Sequence, residues 1–472
     1  MQSLGGYSVE HEPEVRGGDL LQQYGYRQEL DRVLTTLSAV GLTLSDITPT
    51  ASFFVIAAAV YPLTGTGSFW SFLVAGLIAL SVAFCMGELG AQYPIAGGLY
   101  SIVARVLGRP IGFVAMMDYV FQAIFLPAAI ALGIGSYMSL LVPAVNPNLW
   151  ATLIMLAVTV ISALRVKTNA NLTGFFLALE LIVVLTVTVV GFAHPHNPIS
   201  LLFRPALINA HGGLSPVSLS VIVASIAISL FSFNGYDSAI NFSEETDGEA
   251  RHVGQAVMTA AGLGVLFQVL PAIAVLVGVG SLGAFFTSSL PVAYFLREYL
   301  GTTGTNIMLI GVALAVFNAT LAIVLQFSRV IYSTARDESW PTPINSALSR
   351  ISPRFKTPWV SVLFVGLLGA VLTLFSSTIS AITFTSVLII ALYALIAIAA
   401  LVNRFRKRDA ASRPFSMWLF PLPPIIALVG VGLALSQQKA SDLLTVAIIV
   451  VVSIIYFYIY PARRSPFWRG EK

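Results

Sequence analysis

The chain has 472 residues, of which 57% are hydrophobic and only 10% charged, and its mean hydropathy is +0.87. Soluble domains carry roughly 25% charged residues, so this composition excludes a water-facing surface and reads as a single membrane-embedded unit. One cysteine, Cys85, excludes a disulfide framework and a cysteine-built metal site, and the net charge of +4 is spread over basic residues between apolar runs, where it reads as membrane topology and not as a nucleic-acid surface.

Residues 1–35 form a polar tail with Glu10, Glu12, Glu14, Asp19, Glu29 and Asp31. It lacks the apolar stretch and cleavage site of a signal peptide, and a short helix is expected near 19–33. A helix needs about 20 apolar residues to cross the ~30 Å hydrocarbon core. Twelve segments qualify: 36–61, 68–92, 111–141, 149–166, 172–193, 218–243, 253–281, 304–335, 358–376, 380–402, 417–435 and 442–461. The expected fold class is an all-α membrane protein of twelve transmembrane helices. With the N-terminus in the cytosol, 22 of the 25 basic residues fall inside, the exceptions being Arg204, Arg297 and Lys439. This asymmetry predicts a multi-pass protein of the cytoplasmic membrane with both termini cytosolic, residues 462–472 forming a basic tail.

Two spans contain sequence that a continuous membrane helix avoids. Span 1 carries Ser45, Asp46, Thr48, Pro49 and Thr50; span 6 carries Phe231, Phe233, Asn234, Gly235, Tyr236 and Asp237. Pro49 removes a backbone donor and Gly235 weakens a helix. Unwound backbone inside a bilayer is tolerated only where it lines a cavity or is buried in protein. The breaks lie five helices apart, and two five-helix halves insert in opposite directions. That predicts an inverted repeat, 36–193 against 218–402, with helices 11 and 12 (417–461) appended and a substrate held at broken helices 1 and 6.

Five acids fall within spans: Asp46, Glu88, Asp118, Glu180 and Asp237. Each is costly in hydrocarbon and is a functional candidate. Two roles are open to Asp46 and Asp237: capping freed backbone N–H groups, or meeting a substrate ammonium. No lysine or arginine stands deep in a span as their internal partner. Asp118 is expected to pair with Arg105, Arg109 or a loop cation. Glu180, in the otherwise apolar span 5, is either a titrating group for ion coupling or a buried carboxyl hydrogen-bonded to Thr or Asn. Aromatic residues flanking the breaks, Phe53 and Phe54 among them, are placed to enclose an ammonium by cation–π contacts. There is no phosphate-binding loop for an ATP-driven pump. His194 and His196 offer only two ligands, so neither a metal nor a cofactor is expected.

Three motifs carry a resemblance. The first is Glu88-Leu-Gly-Ala-Gln-Tyr93-Pro94-Ile-Ala96-Gly97-Gly98-Leu-Tyr100 with Gly108 and Gly112-Phe113. The second is Phe233-Asn234-Gly235-Tyr236-Asp237 with Glu244-Glu245. The third runs from Arg329 through Ala335-Arg336-Asp337-Glu338-Ser339-Trp340-Pro341 to Thr357-Pro358. In this order they resemble the amino acid–polyamine–organocation (APC) superfamily, over roughly residues 20–460, and residues 24–30 resemble its amino acid/choline branch. The resemblance implies a non-enzymatic, ion-coupled permease for a small amino acid or, alternatively, a biogenic amine, polyamine or choline-like cation. It makes Glu88, Gly97, Gly98 and Asp118 gating or packing residues. Several relatives carry a lysine matching Glu180, near a cation site between spans 1, 5 and 8, which implies a coupling role for Glu180 with a proton or sodium. Span 1 departs from the Gly-Ser-Gly-like tripeptide of many relatives, which brings amines and ω-amino acids closer as substrates. A channel and a membrane-embedded enzyme are the other classes in play; paired breaks and the lack of a nucleophile, base or metal cluster argue against them. The partners are substrate, coupling ion and lipid bilayer, and the sequence carries no sign of oligomeric state.

Overall fold

The computed structural model describes residues 23, 26–27, 29–164, 166–209, 213–406 and 413–471, with backbone alone for 166–170. The described residues are mostly helical. After an N-cap at Thr35, whose hydroxyl accepts from the Ser38 N–H at 3.2 Å, α1 spans Thr36–Ile47. Thr48 is left-handed (φ 49°), Pro49–Ala51 forms one turn, Ser52–Ala57 is a π-helical turn, and α2 (Ala58–Thr64) completes the segment. There follow α3 (Ser68–Gln92), α4 (Gly98–Val106), α5 (Arg109–Leu141), α6 (Pro147–Ser162) and α7 (Val166–Ala193). After a small antiparallel hairpin of β1 (Ala206–Ile208) and β2 (Leu214–Pro216) come α8 (Leu219–Phe231), α9 (Arg251–Gly278) and α10 (Pro291–Arg336). The last helices are α11 (Trp359–Phe375), α12 (Thr378–Arg406), α13 (Leu422–Ser436) and α14 (Ala440–Ile459).

Among the described residues, seven continuous helical stretches are long and apolar enough to cross a membrane, and α6, α8, α11 and α13 are shorter apolar helices. The first of the seven, Thr36–Gln92, contains both α1–α2 and α3. The expected spans overlap these helices, but the sixth ends as α8 at Phe231 with one separate turn at Ser238–Asn241, and several other differences have local causes. Pro147 and Pro110 sit at helix starts, where a missing N–H costs nothing, so α6 and α5 begin slightly early. Gly301, with φ 62°, interrupts α10, so its N-terminal ten residues are a separate helical piece before the expected span. Of the helix expected near 19–33, residues 19–22, 24–25 and 28 lie outside the described residues, and Gln23 is helical. Its described end is extended: Leu34 pairs with Thr246, and the N–H groups of Val33 and Leu34 share the Glu245 carbonyl at 3.0 Å. The tail after 461 is not loose either. It folds into two short helical turns, with Phe467 and Trp468 buried and the Trp468 indole donating to Ser339 Oγ at 2.8 Å.

Packing places the breaks centrally. The helix α3 lies on α9, α5 on α10, α6 on α11, and α7 on α9 and α10. At the α7–α9 crossing, Gly191 and Gly278 let the backbones meet: a Cβ on Gly278 would lie 2.6 Å from Gly191 Cα. Small residues at such crossings replace the hydrophobic drive that lipid cannot supply. The outer face is apolar, with Leu77, Val160, Val189, Phe375 and Leu444 exposed, as a surface solvated by acyl chains requires.

Candidate functional site

The two breaks meet. Gly235, with φ +121°, crosses the Asp46–Ile47 peptide so closely that a Cβ would lie 2.6 Å from both the Asp46 carbonyl carbon and the Ile47 nitrogen. Only glycine provides that approach together with that conformation. The crossing sets Asp46 and Asp237 within electrostatic reach of one another, both buried.

Their surroundings differ. Asp237 Oδ2 accepts from the Tyr119 hydroxyl and from Gln326 Nε2 at 2.9 Å. Tyr119 in turn accepts from Asn241 Nδ2 at 2.9 Å. Among the described residues, Asp46 Oδ1, Asp237 Oδ1 and Asn318 Oδ1 have no hydrogen-bond partner. Asn318 Nδ2 reaches Ser45 Oγ at 3.3 Å, and Asn234 Nδ2 reaches the Tyr393 hydroxyl at 3.0 Å. Rings close the surroundings: Tyr236 lies 6.0 Å from Tyr393, Phe233 sits edge-on to Phe72, and Phe53, Phe54 and Phe231 are buried nearby in the same core.

The capping role falls to Glu180. Its Oε1 accepts from the Thr50 N–H at 2.9 Å, and its backbone carbonyl accepts from Thr50 Oγ1 at 2.8 Å. Its Oε2 has no hydrogen-bond partner among the described residues. The rest of the first break is also satisfied. Thr48 Oγ1 accepts from the Ala51 N–H at 3.2 Å, Ser52 Oγ donates to the Ile47 carbonyl at 2.9 Å, and Gln268 donates to the Pro49 carbonyl at 3.2 Å. A freed backbone group left unpaired in this setting costs about 1–3 kcal/mol.

The remaining sequence candidates sit around this centre. Gly98 (φ +57°) turns the chain against Asn241; a Cβ would lie 1.9 Å from Asn241 Oδ1. With Gly97 it follows Ala96, whose N–H donates to Glu244 at 2.8 Å. Glu88 accepts from the Met417 N–H at 2.6 Å and lies 3.5 Å from Arg404. Among the described residues Asp118 forms no ion pair with Arg105, Arg109 or a loop cation. Its hydrogen-bond partner is Gln122, one turn on, at 2.7 Å, while both arginines lie against the Phe467 ring.

Sequence reasoning missed several participants. Tyr119, Gln326, Asn318, Gln268 and Tyr393 reach the breaks from four other helices, α5, α9, α10 and α12; the available signal was uncharged polar residues in otherwise apolar runs. It also missed a buried cation. Arg329, inside the expected span 304–335, is fully buried and forms a two-pronged pair with Glu245 at 2.7 and 3.2 Å. It serves that glutamate and not the acids of the breaks. Arg336 grips Glu244 in the same way at 2.7 and 2.9 Å. Asp337 accepts from Tyr26 at 2.7 Å and Tyr100 at 2.9 Å. Together these tie the N-terminal segment, α4, the segment after broken helix 6 and the end of α10 into one network. Among the described residues no group of three or more His, Cys, Asp or Glu is placed to hold a metal ion.

Unwound helices crossing at a buried, acid-lined centre, inside a bundle with an apolar exterior, define a polytopic membrane transporter. Comparison with known sequences gives the family: the Amino acid permease family matches residues 34–465, and the chain belongs to it, within the APC superfamily. The branched-chain amino acid permease BcaP of Bacillus subtilis is 21% identical over 87% of this chain and 90% of its own length. The methylthioribose transporter of the same organism is 23% identical over 91% and 94%. The mouse cationic amino acid transporter 4 is 25% identical over 84% of this chain and 63% of its own.

Proposed function

We propose that the protein is a secondary active transporter that moves a small amino acid or amine bearing a positively charged nitrogen across the cytoplasmic membrane by alternating access. The observation that carries this reading is the crossing of the two breaks, which brings together two buried carboxylates, each with an unpartnered oxygen. A cation between them offsets the cost of leaving charge in a low-dielectric interior. The family's relatives with amino acid substrates in their names support the amino acid class.

In this reading twelve spans form two inverted halves, 36–193 and 218–402, followed by 417–461. The packing supports it: α3 with α9, α5 with α10 and α6 with α11 are pairs of spans 2 and 7, 3 and 8, 4 and 9, each five apart. The distribution of basic residues supports cytosolic termini. Rocking of spans 1, 2, 6 and 7 against spans 3, 4, 8 and 9 exposes the centre alternately. Glu180 serves as the coupling residue: it holds the first break through one oxygen and leaves the other available to a proton or a cation. Flux of labelled amino acids and amines into proteoliposomes tests the reading. Saturation and trans-stimulated exchange are expected; unsaturable flux that persists when the halves are crosslinked would make the protein a channel.

A further inference from the structure

Asp118 stands outside the central site, yet it is an acid within a membrane helix. It is 6% exposed, accepts from Gln122 at 2.7 Å, and forms no ion pair among the described residues. It forms part of the wall of a groove of about 520 Å³ between α5, α12 and α14. The other walls are apolar, including Ile111, Leu392, Leu395 and Val450, with Tyr458 as the second polar side chain. Ile111 and Tyr458 are 41% and 57% exposed, so the groove opens on the lipid-facing surface.

We propose that this groove binds an aminophospholipid, with its primary ammonium on Asp118 and an acyl chain along the apolar wall. Charge complementarity is the first argument. A carboxylate without a cation of its own, set in an otherwise apolar groove, favours a ligand with a positive head and a hydrocarbon tail. Depth is the second. The 33 residues of α5 make about 50 Å of helix, some 20 Å more than the ~30 Å hydrocarbon core. Asp118 lies nine residues, about 13 Å, from the first residue of α5. With the excess shared between both ends, it sits just inside the hydrocarbon edge, within reach of the headgroup layer. The donor count is the third. A primary ammonium offers three N–H donors to a carboxylate, whereas a quaternary ammonium offers none, so the site distinguishes ethanolamine from choline headgroups.

The test is native mass spectrometry of the detergent-purified full chain with added phosphatidylethanolamine or phosphatidylcholine of identical acyl chains. The wild type is expected to retain the ethanolamine lipid about tenfold more than the choline lipid, the discrimination of a charge-assisted hydrogen bond. Asp118→Asn is expected to lower ethanolamine-lipid retention to the choline level and leave choline-lipid retention unchanged. Val450→Trp, on the outermost helix, is expected to lower retention of both by filling the groove. Equal retention of the two lipids by the wild type would overturn the proposal, independently of whether either variant folds. So would ethanolamine-lipid retention in Asp118→Asn equal to wild type, or a dimer without lipid adducts, which would assign the groove to a second copy of the chain.

Discussion

Replacing Asp237 with asparagine tests the central site most directly. Tyr119 and Gln326 both donate to Oδ2, so the asparagine carbonyl takes that place and its amide NH2 is turned to the position of Oδ1. An unpartnered acceptor thereby becomes a donor, and the negative charge is lost, while size and the Tyr119–Gln326 contacts persist. Removing one half of a desolvated charge pair costs about 2–5 kcal/mol, or about 30-fold to several-thousandfold in Kd. The expected outcome is a loss of that size for ammonium-bearing substrates, with thermal stability and chromatographic behaviour retained. Equilibrium binding of the radiolabelled substrate identified by the flux screen, to protein in detergent, measures it. An Asp237→Asn variant that binds within threefold of wild type would refute the reasoning, and a matching result for Asp46→Asn would leave both acids as supports of the unwound backbone.

Five further outcomes are expected. Glu180→Gln keeps an acceptor for the Thr50 N–H but exchanges no proton, so proton-coupled uptake should lose its pH dependence while substrate binding persists; an unaltered pH profile would move coupling to another group. Glu180→Ala leaves that N–H unsatisfied and should lower stability by about 1–3 kcal/mol, read as a drop in Tm relative to Glu180→Gln. Gly235→Ala forces a methyl to 2.6 Å from the Asp46–Ile47 peptide, and should abolish flux even in protein that reaches the membrane; normal flux would contradict the apposition of the breaks. Arg329→Met strands the buried Glu245 carboxylate and should cost about 3–5 kcal/mol, whereas Arg329→Met with Glu245→Leu should recover most of it, as thermal unfolding of the two variants will show. A reporter fused after Lys472 should be active only in the cytosol, and activity outside would overturn the assigned topology.

Local chemistry was legible in the sequence because it depends on neighbours along the chain. Runs of apolar residues set the helices, Thr48-Pro49 and Asn234-Gly235 set the breaks, and the acids within those breaks announced themselves by their cost in hydrocarbon. Partnership was not legible. Glu180 reaches the first break across 130 positions of sequence, Gln326 reaches Asp237 across 89, and Arg329 reaches Glu245 across 84. Helical periodicity says which face a residue occupies, but not which of the other helices that face meets. For this reason the sequence left open whether Asp46 and Asp237 cap freed backbone or meet a substrate, and whether Glu180 titrates or serves as a buried hydrogen-bonded carboxyl. Only the packing of α7 against broken helix 1 brought the Glu180 carboxylate to the Thr50 N–H. With Glu180 supplying the acceptor for the Thr50 N–H, Asp46 and Asp237 each keep one oxygen without a hydrogen-bond partner among the described residues.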